Sequence, residues 1–349
     1  MLLPVIIKNI TNNNTQNDSS TPMYSSPFHT NDISNKTFLV TGGAGFIGSN
    51  IVEYLLKYNA KKIVVLDNLA TGFEDNLKPY LSLPNFEFIK GDICNIDDCN
   101  KACAGVDYVF HEAALGSVPR SIKNPIATHN VNATGFINVL LAARDAHVKR
   151  VVYASSSSVY GDSKILPKVE NQIGKQLSPY AVSKMTNELY GEIFAKTYNM
   201  EIIGLRYFNI FGPRQNPQGE YAAAIPLFIN ALLNNTAPAI NGDGEQTRDF
   251  TFVANAVQAN IKAMFEQNVK TDGTIFNIAV GERVSLNQLI EILKKLIGTT
   301  TQQIYRADRP GDVRDSLADI SKAKNAINYQ PQVKIEEGLK YTLAWFKSK

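Results

Sequence analysis

Disulfide-forming residues are scarce in this chain. It has three cysteines, Cys94, Cys99 and Cys103, set close together. An odd count with no secretion signal points to reduced thiols in the cytoplasm, not to a disulfide framework. Their spacing fits no familiar zinc pattern, and the four histidines do not gather around them, so no metal is expected. No apolar run approaches the roughly 20 residues that span a bilayer, which excludes a membrane partner of that kind. The opening stretch, Met1 to Ile7, is apolar but too short for a signal-peptide core. Net charge is +3 with no long basic run, so nucleic acid is not an expected partner. No internal repeat is visible.

What is present reads as an ordinary globular protein, 44% hydrophobic and 19% charged. At 349 residues it is long for one core and short for three. Residues 1–36 form an N-terminal arm, expected to be flexible because Asn12 to Asn35 is rich in Asn, Ser, Thr and Pro. From Lys36 the pattern changes. Strands are expected at Thr37–Thr41, Lys62–Asp67, Phe86–Lys90, Tyr108–Phe110, Arg150–Ala154 and Ile202–Tyr207. Helices are expected at Phe46–Tyr58, Ile126–Ala146 and Pro179–Tyr198. Alternation at this spacing predicts an α/β fold, a Rossmann-type doubly wound parallel sheet over residues 37–212. Beyond about Pro213 the elements shorten, and residues 213–349 read as a smaller α/β region that covers a substrate, with some chain returning to the sheet.

Two motifs carry chemistry. In Thr41-Gly42-Gly43-Ala44-Gly45-Phe46-Ile47-Gly48, three glycines fall where a strand must turn tightly into a helix. Such a turn lets a pyrophosphate approach the backbone and meet the free N–H groups of the helix. Asp67, followed by Asn68, ends the next strand and is placed to bond the adenosine ribose. A carboxylate there repels a 2′-phosphate, which favours NAD over NADP. Well downstream, Tyr180 and Lys184 stand one helical turn apart on one face. A phenol ordinarily ionises near pH ~10, so a base role at neutral pH needs nearby positive charge. Lys184 and an oxidised nicotinamide are the expected sources. The run Ser155-Ser156-Ser157-Ser158 ends a strand, and a hydroxyl there can relay a sugar proton.

With these residues the chain resembles the extended short-chain dehydrogenase/reductase family, over Lys36 to Lys349. Further matching stretches are Asp92-Ile93, His111-Glu112-Ala113-Ala114, Asn132, Val159-Tyr160-Gly161 and Arg206-Tyr207-Phe208-Asn209. More narrowly it looks like the nucleotide-sugar 4-epimerases, which are isomerases. The resemblance implies cofactor contacts from Gly42, Gly45, Phe46, Ile47, Gly48, Asp67, Asn68, Asp92, Ile93, Ala113, Ala114, Asn132, Tyr180, Lys184 and Tyr207. It implies catalysis by Tyr180, Lys184 and Ser156. In related dehydratases the second and third serines of Ser156-Ser157-Ser158 are typically Asp and Glu, and related decarboxylases usually carry Glu at the last. Serines at all three leave no acid to drive elimination.

Substrate contacts are implied for Gly116, Ser117, Arg120, Ser156, Ser157, Ser158, Asn209, Gln215, Ala223, Arg248, Arg309, Asp312 and Ser316. Arg248 and Arg309 would anchor the diphosphate, since a guanidinium fork bonds phosphate oxygens in pairs. The pattern is most like epimerases of UDP-N-acetylglucosamine. Ser316 stands where glucose-restricted members resemble one another in carrying a bulky tyrosine, so an acetamido group would have room. A uronate or plain hexose substrate is the alternative. A reductase on the same fold and a non-enzymatic dinucleotide sensor are the rivals. A homodimer built on the helices around Asn130–Ala146 and Tyr180–Tyr198, and a role in polysaccharide biosynthesis, are also implied.

Overall fold

Strand runs rich in Val, Ile and Leu bury on both faces, and that double burial suits a parallel sheet covered by helices on each side. In the computed structural model, residues 23–218, 222–307 and 314–349 are described. The first six strands are β1 (Thr37–Thr41), β2 (Lys62–Asp67), β3 (Phe86–Lys90), β4 (Tyr108–His111), β5 (Arg150–Ser156) and β6 (Glu201–Tyr207). Short strands follow: β7 (Ile210–Phe211), β8 (Ala239–Asn241), β9 (Thr247–Arg248) and β10 (Thr251–Phe252). Then come β11 (Asp272–Ile278), β12 (Val284–Ser285) and β13 (Ile304–Arg306). Seven strands make one parallel sheet in the order β11-β6-β5-β4-β1-β2-β3. The short strands pair as β10 with β7, β12 with β9 and β13 with β8.

Alternate residues of β1 enter two separate cores. Phe38 and Val40 join one cluster, while Leu39 joins the other. The helices are α1 (Phe46–Lys57), α2 (Ile96–Cys103), α3 (Val118–Lys123), α4 (Pro125–His129), α5 (Gly135–Asp145) and α6 (Pro179–Tyr198). Beyond them are α7 (Ala224–Leu233), α8 (Val253–Phe265), α9 (Leu286–Ile297), α10 (Ser321–Ile327) and α11 (Ile335–Lys347).

Two readings of the sequence need revision. The helix expected over Ile126–Ala146 is α4 and α5 joined through a π-helical turn, Asn130–Thr134. Chain from beyond residue 212 returns to the sheet as expected: β11 completes it and α8 packs on β5 and β6. The described part of the arm is packed. Tyr24 and Ile33 are buried, and the Tyr58 hydroxyl donates to the Tyr24 carbonyl at 2.7 Å. Residues 1–22 lie outside the described residues.

Candidate active site

The sheet order reverses between β1, which runs on to β2, and β4, which leads to β5. A crevice opens there beyond the carboxyl ends of the strands, as expected at a topological switch point. It holds a 460 Å³ cavity lined by Gly42, Gly45–Gly48, Asp67, Asn68, Asp92, Ile93, Glu112–Gly116, Ser156, Tyr180, Lys184 and Tyr207, among others. The glycines are needed sterically. Gly42 has φ +69°, and a Cβ on it would lie 2.6 Å from the Ala113 nitrogen. A Cβ on Gly48 would lie 2.3 Å from the Gly42 carbonyl oxygen. No side chain caps the start of α1 at Gly45, so its amides face the cavity for an anion. Asp67 accepts from Ala44 N at 3.0 Å and Leu69 N at 2.8 Å. Burial nevertheless raises its pKa above the usual carboxylate range. This cradle fits a dinucleotide.

Of the expected cofactor residues, Asn132 alone does not line this cavity. The π turn aims it at the wall behind. Asn132 accepts from Leu115 N at 2.8 Å and donates to Leu115 O at 3.1 Å and to Ser183 Oγ at 3.0 Å. It therefore ties the strand-end wall to α6.

The catalytic candidates converge from β5 and α6. Lys184 donates to the Ala154 carbonyl at 2.7 Å, and burial lowers its pKa to about 8. Burial raises the Tyr180 phenol, and the Ser156 hydroxyl pulls it down. Ser156 is the group that lowers the phenol here, and Lys184, one turn along α6, keeps its positive charge while one of its three donors holds the strand end. Behind them is a buried pair absent from the sequence reading. Glu188 receives Arg206 Nε at 2.8 Å, Arg206 Nη2 at 2.7 Å and Ser155 Oγ at 2.5 Å. This bidentate contact locks β5, β6 and α6 together.

Glu112 was also missed as a site residue, although it lies inside a matching stretch. Tyr207 donates to it at 2.9 Å, and Asn260 donates to Tyr207 at 2.7 Å. Burial pushes the Glu112 carboxyl up to about 8, against the pull of Tyr207 and Lys184. His111 accepts or donates to Thr41 Oγ1 at 2.8 Å, and burial takes its pKa down to about 3.

Two smaller cavities adjoin the first, and Asn209 lines all three. One, of 240 Å³, is lined by Ser157, Ser158, Lys168, Arg248 and Ser316 among others. The other, of 330 Å³, includes Ser117, Gln215, Ala223, Gln246, Arg248 and Phe250. Gln215 Oε1 and Gln246 Oε1 are buried without a hydrogen-bond partner. Ser117, at φ +91°, holds backbone unusual for its type, and Asn209, at φ +39°, is of a type that tolerates positive φ. Such conformations cluster at functional sites. Gly116 reaches the large cavity. Arg120 lines none of the three; Ser117 caps α3, and its first residues, Val118 and Pro119, occupy the wall instead. Arg309 and Asp312 lie outside the described residues. Among the described residues no cluster of metal-ligating side chains occurs, and no helix is long and apolar enough to cross a membrane.

A glycine cradle beside a Tyr–Lys–Ser cluster defines a nicotinamide-dependent enzyme on a Rossmann-type sheet. The chain belongs to the NAD dependent epimerase/dehydratase family, whose model matches residues 38–279. A putative UDP-glucose 4-epimerase of Methanocaldococcus jannaschii is 39% identical over 89% of this chain and 98% of its own length. A solved UDP-N-acetylglucosamine 4-epimerase from Methanobrevibacter ruminantium M1, in complex with UDP-N-acetylmuramic acid, is 39% identical with TM-score 0.85, covering 90% of this chain and 99% of that one. A UDP-glucuronic acid 4-epimerase from Bacillus cereus, with UDP-glucuronic acid and NAD, is 31% identical with TM-score 0.83, covering 89% and 99%. These relatives place the chain among NAD-dependent 4-epimerases, hence isomerases.

Proposed function

We propose that the chain interconverts the C4 epimers UDP-GlcNAc and UDP-GalNAc through a transient 4-keto sugar. The observation that carries this reading is the edge Ser156-Ser157-Ser158, set between Tyr180 and a 240 Å³ chamber lined, among the described residues, by no carboxylate. Expelling a 6-hydroxyl calls for an acid, and this edge offers hydroxyls alone. Tyr180 takes the 4-hydroxyl proton with Ser156 beside it, and returns it to the opposite face. Gly42, Gly45, Gly48 and Asp67 hold NAD, with Asp92, Ile93, Ala113 and Ala114 along the wall. The chemistry supplied by bound NAD is the reversible uptake of the C4 hydride. Arg248 anchors the diphosphate while the sugar turns. Ser316 in the chamber leaves room for an acetamido group; it admits the larger sugar without refusing glucose.

An NMR assay of purified protein with UDP-GlcNAc and, separately, UDP-glucose tests this. UDP-GalNAc should appear without added NAD if the cofactor is retained. Failure of both sugars even with NAD supplied would sink the reading and favour a uronate substrate or the non-catalytic sensor. Cytoplasmic location belongs to the same proposal, supported by the free thiols of Cys94, Cys99 and Cys103. So does a homodimer, supported by the exposed Val182, Leu189 and Ile193 on α6 and Ile126 on α4 beside it. Light scattering is expected to give twice the 38.5 kDa chain mass, and a single-chain mass at micromolar concentration would remove the dimer.

A further inference from the structure

The loop between β5 and α6 carries a lysine that the proposed reaction does not use. Lys168 is 5% exposed and lines the 240 Å³ chamber with Ser158, Arg248 and Ser316. Its backbone is held on three sides. Lys168 N donates to Leu317 O at 2.7 Å, and its carbonyl accepts from Asp319 N and Asn277 Nδ2, each at 2.9 Å. This pairing lays Lys168 alongside Ala318, two residues from Ser316. The segment that brings Ser316 to the chamber therefore brings Lys168 as well.

The ammonium has little to satisfy it. It donates to the Ser163 carbonyl and lies 6.0 Å from the Tyr160 ring centre. Among the described residues no carboxylate pairs with it. The two acids of its own loop are committed elsewhere: Asp162 accepts from Lys175 N at 2.8 Å and Glu170 from Asn277 N at 2.9 Å. A buried ammonium without a counter-ion is unfavourable, and a ligand anion relieves it. In the lining of the same chamber, Ser158 Oγ is buried with no hydrogen-bond partner. Remaining ammonium donors and a spare hydroxyl make a seat for a carboxylate.

We propose that Lys168 and Ser158 seat a carboxylate carried by the hexose, so that acidic UDP-sugars are substrates of the same site. This rests on the 4-epimerase reading. The carboxylate stands either at C6, as in a hexuronate, or on a 3-O-lactyl arm. Both sources present one singly charged carboxylate.

The test compares UDP-GlcNAc, its C6 uronate and its 3-O-lactyl derivative, with wild type, Lys168→Met and Lys168→Arg. Calorimetry reads binding and NMR reads epimerisation. The expected result is that Lys168→Met lowers binding and kcat/KM for one acidic sugar about 10- to 100-fold relative to the neutral one, mainly through KM. Lys168→Arg should restore part of it. Whichever acid responds identifies the source. Should Lys168→Met fail to fold, Ser158→Ala is read by the same ratio. Equal effects on acidic and neutral sugars, or no binding of either acid by wild type, would overturn the proposal and leave Lys168 as a cap on the Ser163 carbonyl. A Lys168-dependent preference in binding with no epimerisation of any sugar would uphold the seat while the 4-epimerase reading fell.

Discussion

Tyr180 is held toward the neutral phenol by its surroundings. Burial raises its pKa, Ser156 offers partial relief, and the Lys184 ammonium is bonded to Ala154. A carbonyl contact leaves that ammonium charged, and an oxidised nicotinamide beside it would add to the positive charge that favours the phenolate. Tyr180→Phe removes the proton acceptor while keeping the ring. We expect kcat to fall roughly 10²- to 10⁴-fold, with binding of the UDP-sugar by calorimetry nearly unchanged. A kcat close to wild type would show that another group moves the proton. Tyr180, Lys184 and the glycines are legible in sequence because each is chemically demanded at a fixed spacing. Glu112, Glu188 and Lys168 are not. A single carboxylate or lysine carries no periodicity, and the partners that give these meaning, Tyr207, Arg206 and Leu317, come from other elements.

Among the elements, the turn from β1 into α1 is the most exacting. A methyl at Gly48 would meet the Gly42 carbonyl oxygen at 2.3 Å and Gly43 Cα at 2.9 Å, both backbone atoms that cannot rotate away. Gly48→Ala should therefore open the turn and weaken the pyrophosphate seat. We expect purified Gly48→Ala protein to retain at least about tenfold less NAD than wild type, read by chromatography of the released nucleotide, with circular dichroism confirming the fold. Wild-type NAD content would mean the turn relaxes cheaply. The break between α4 and α5 was hidden from the sequence for a physical reason. A π turn inserts one residue into a helix, and apolar periodicity survives that insertion almost intact. The side chain it re-aims, Asn132, gains a structural task at Leu115 and Ser183.

At the scale of the molecule, described segments on both sides of residues 37–212 close on the Rossmann core. The seventh strand and α8 come from after Pro213; a return of this chain was expected, but short elements and loose punctuation did not show which segments return. On the other side are residues 23–36, whose polar composition suggested a free arm. Composition averages over a segment, whereas packing depends on a few rings. Tyr24 meets the Tyr54 ring edge-on at 5.4 Å, and Phe28 stacks on it at 5.2 Å. The Tyr54 hydroxyl then accepts from Phe28 N at 2.6 Å and contacts His29 Nδ1 at 2.7 Å. His29 reaches Phe265 of α8, so the arm staples α1 to the returning chain. Tyr24 itself is 4% exposed and directs its hydroxyl to Asn50 Oδ1 at 3.3 Å. Removing a buried ring of this size usually costs about 3 kcal/mol or more. Tyr24→Ala should thus lower the unfolding free energy by about that amount in a urea titration, through a lower midpoint at unchanged slope. A midpoint equal to wild type would mean the arm leaves α1 in solution and contributes nothing to the core.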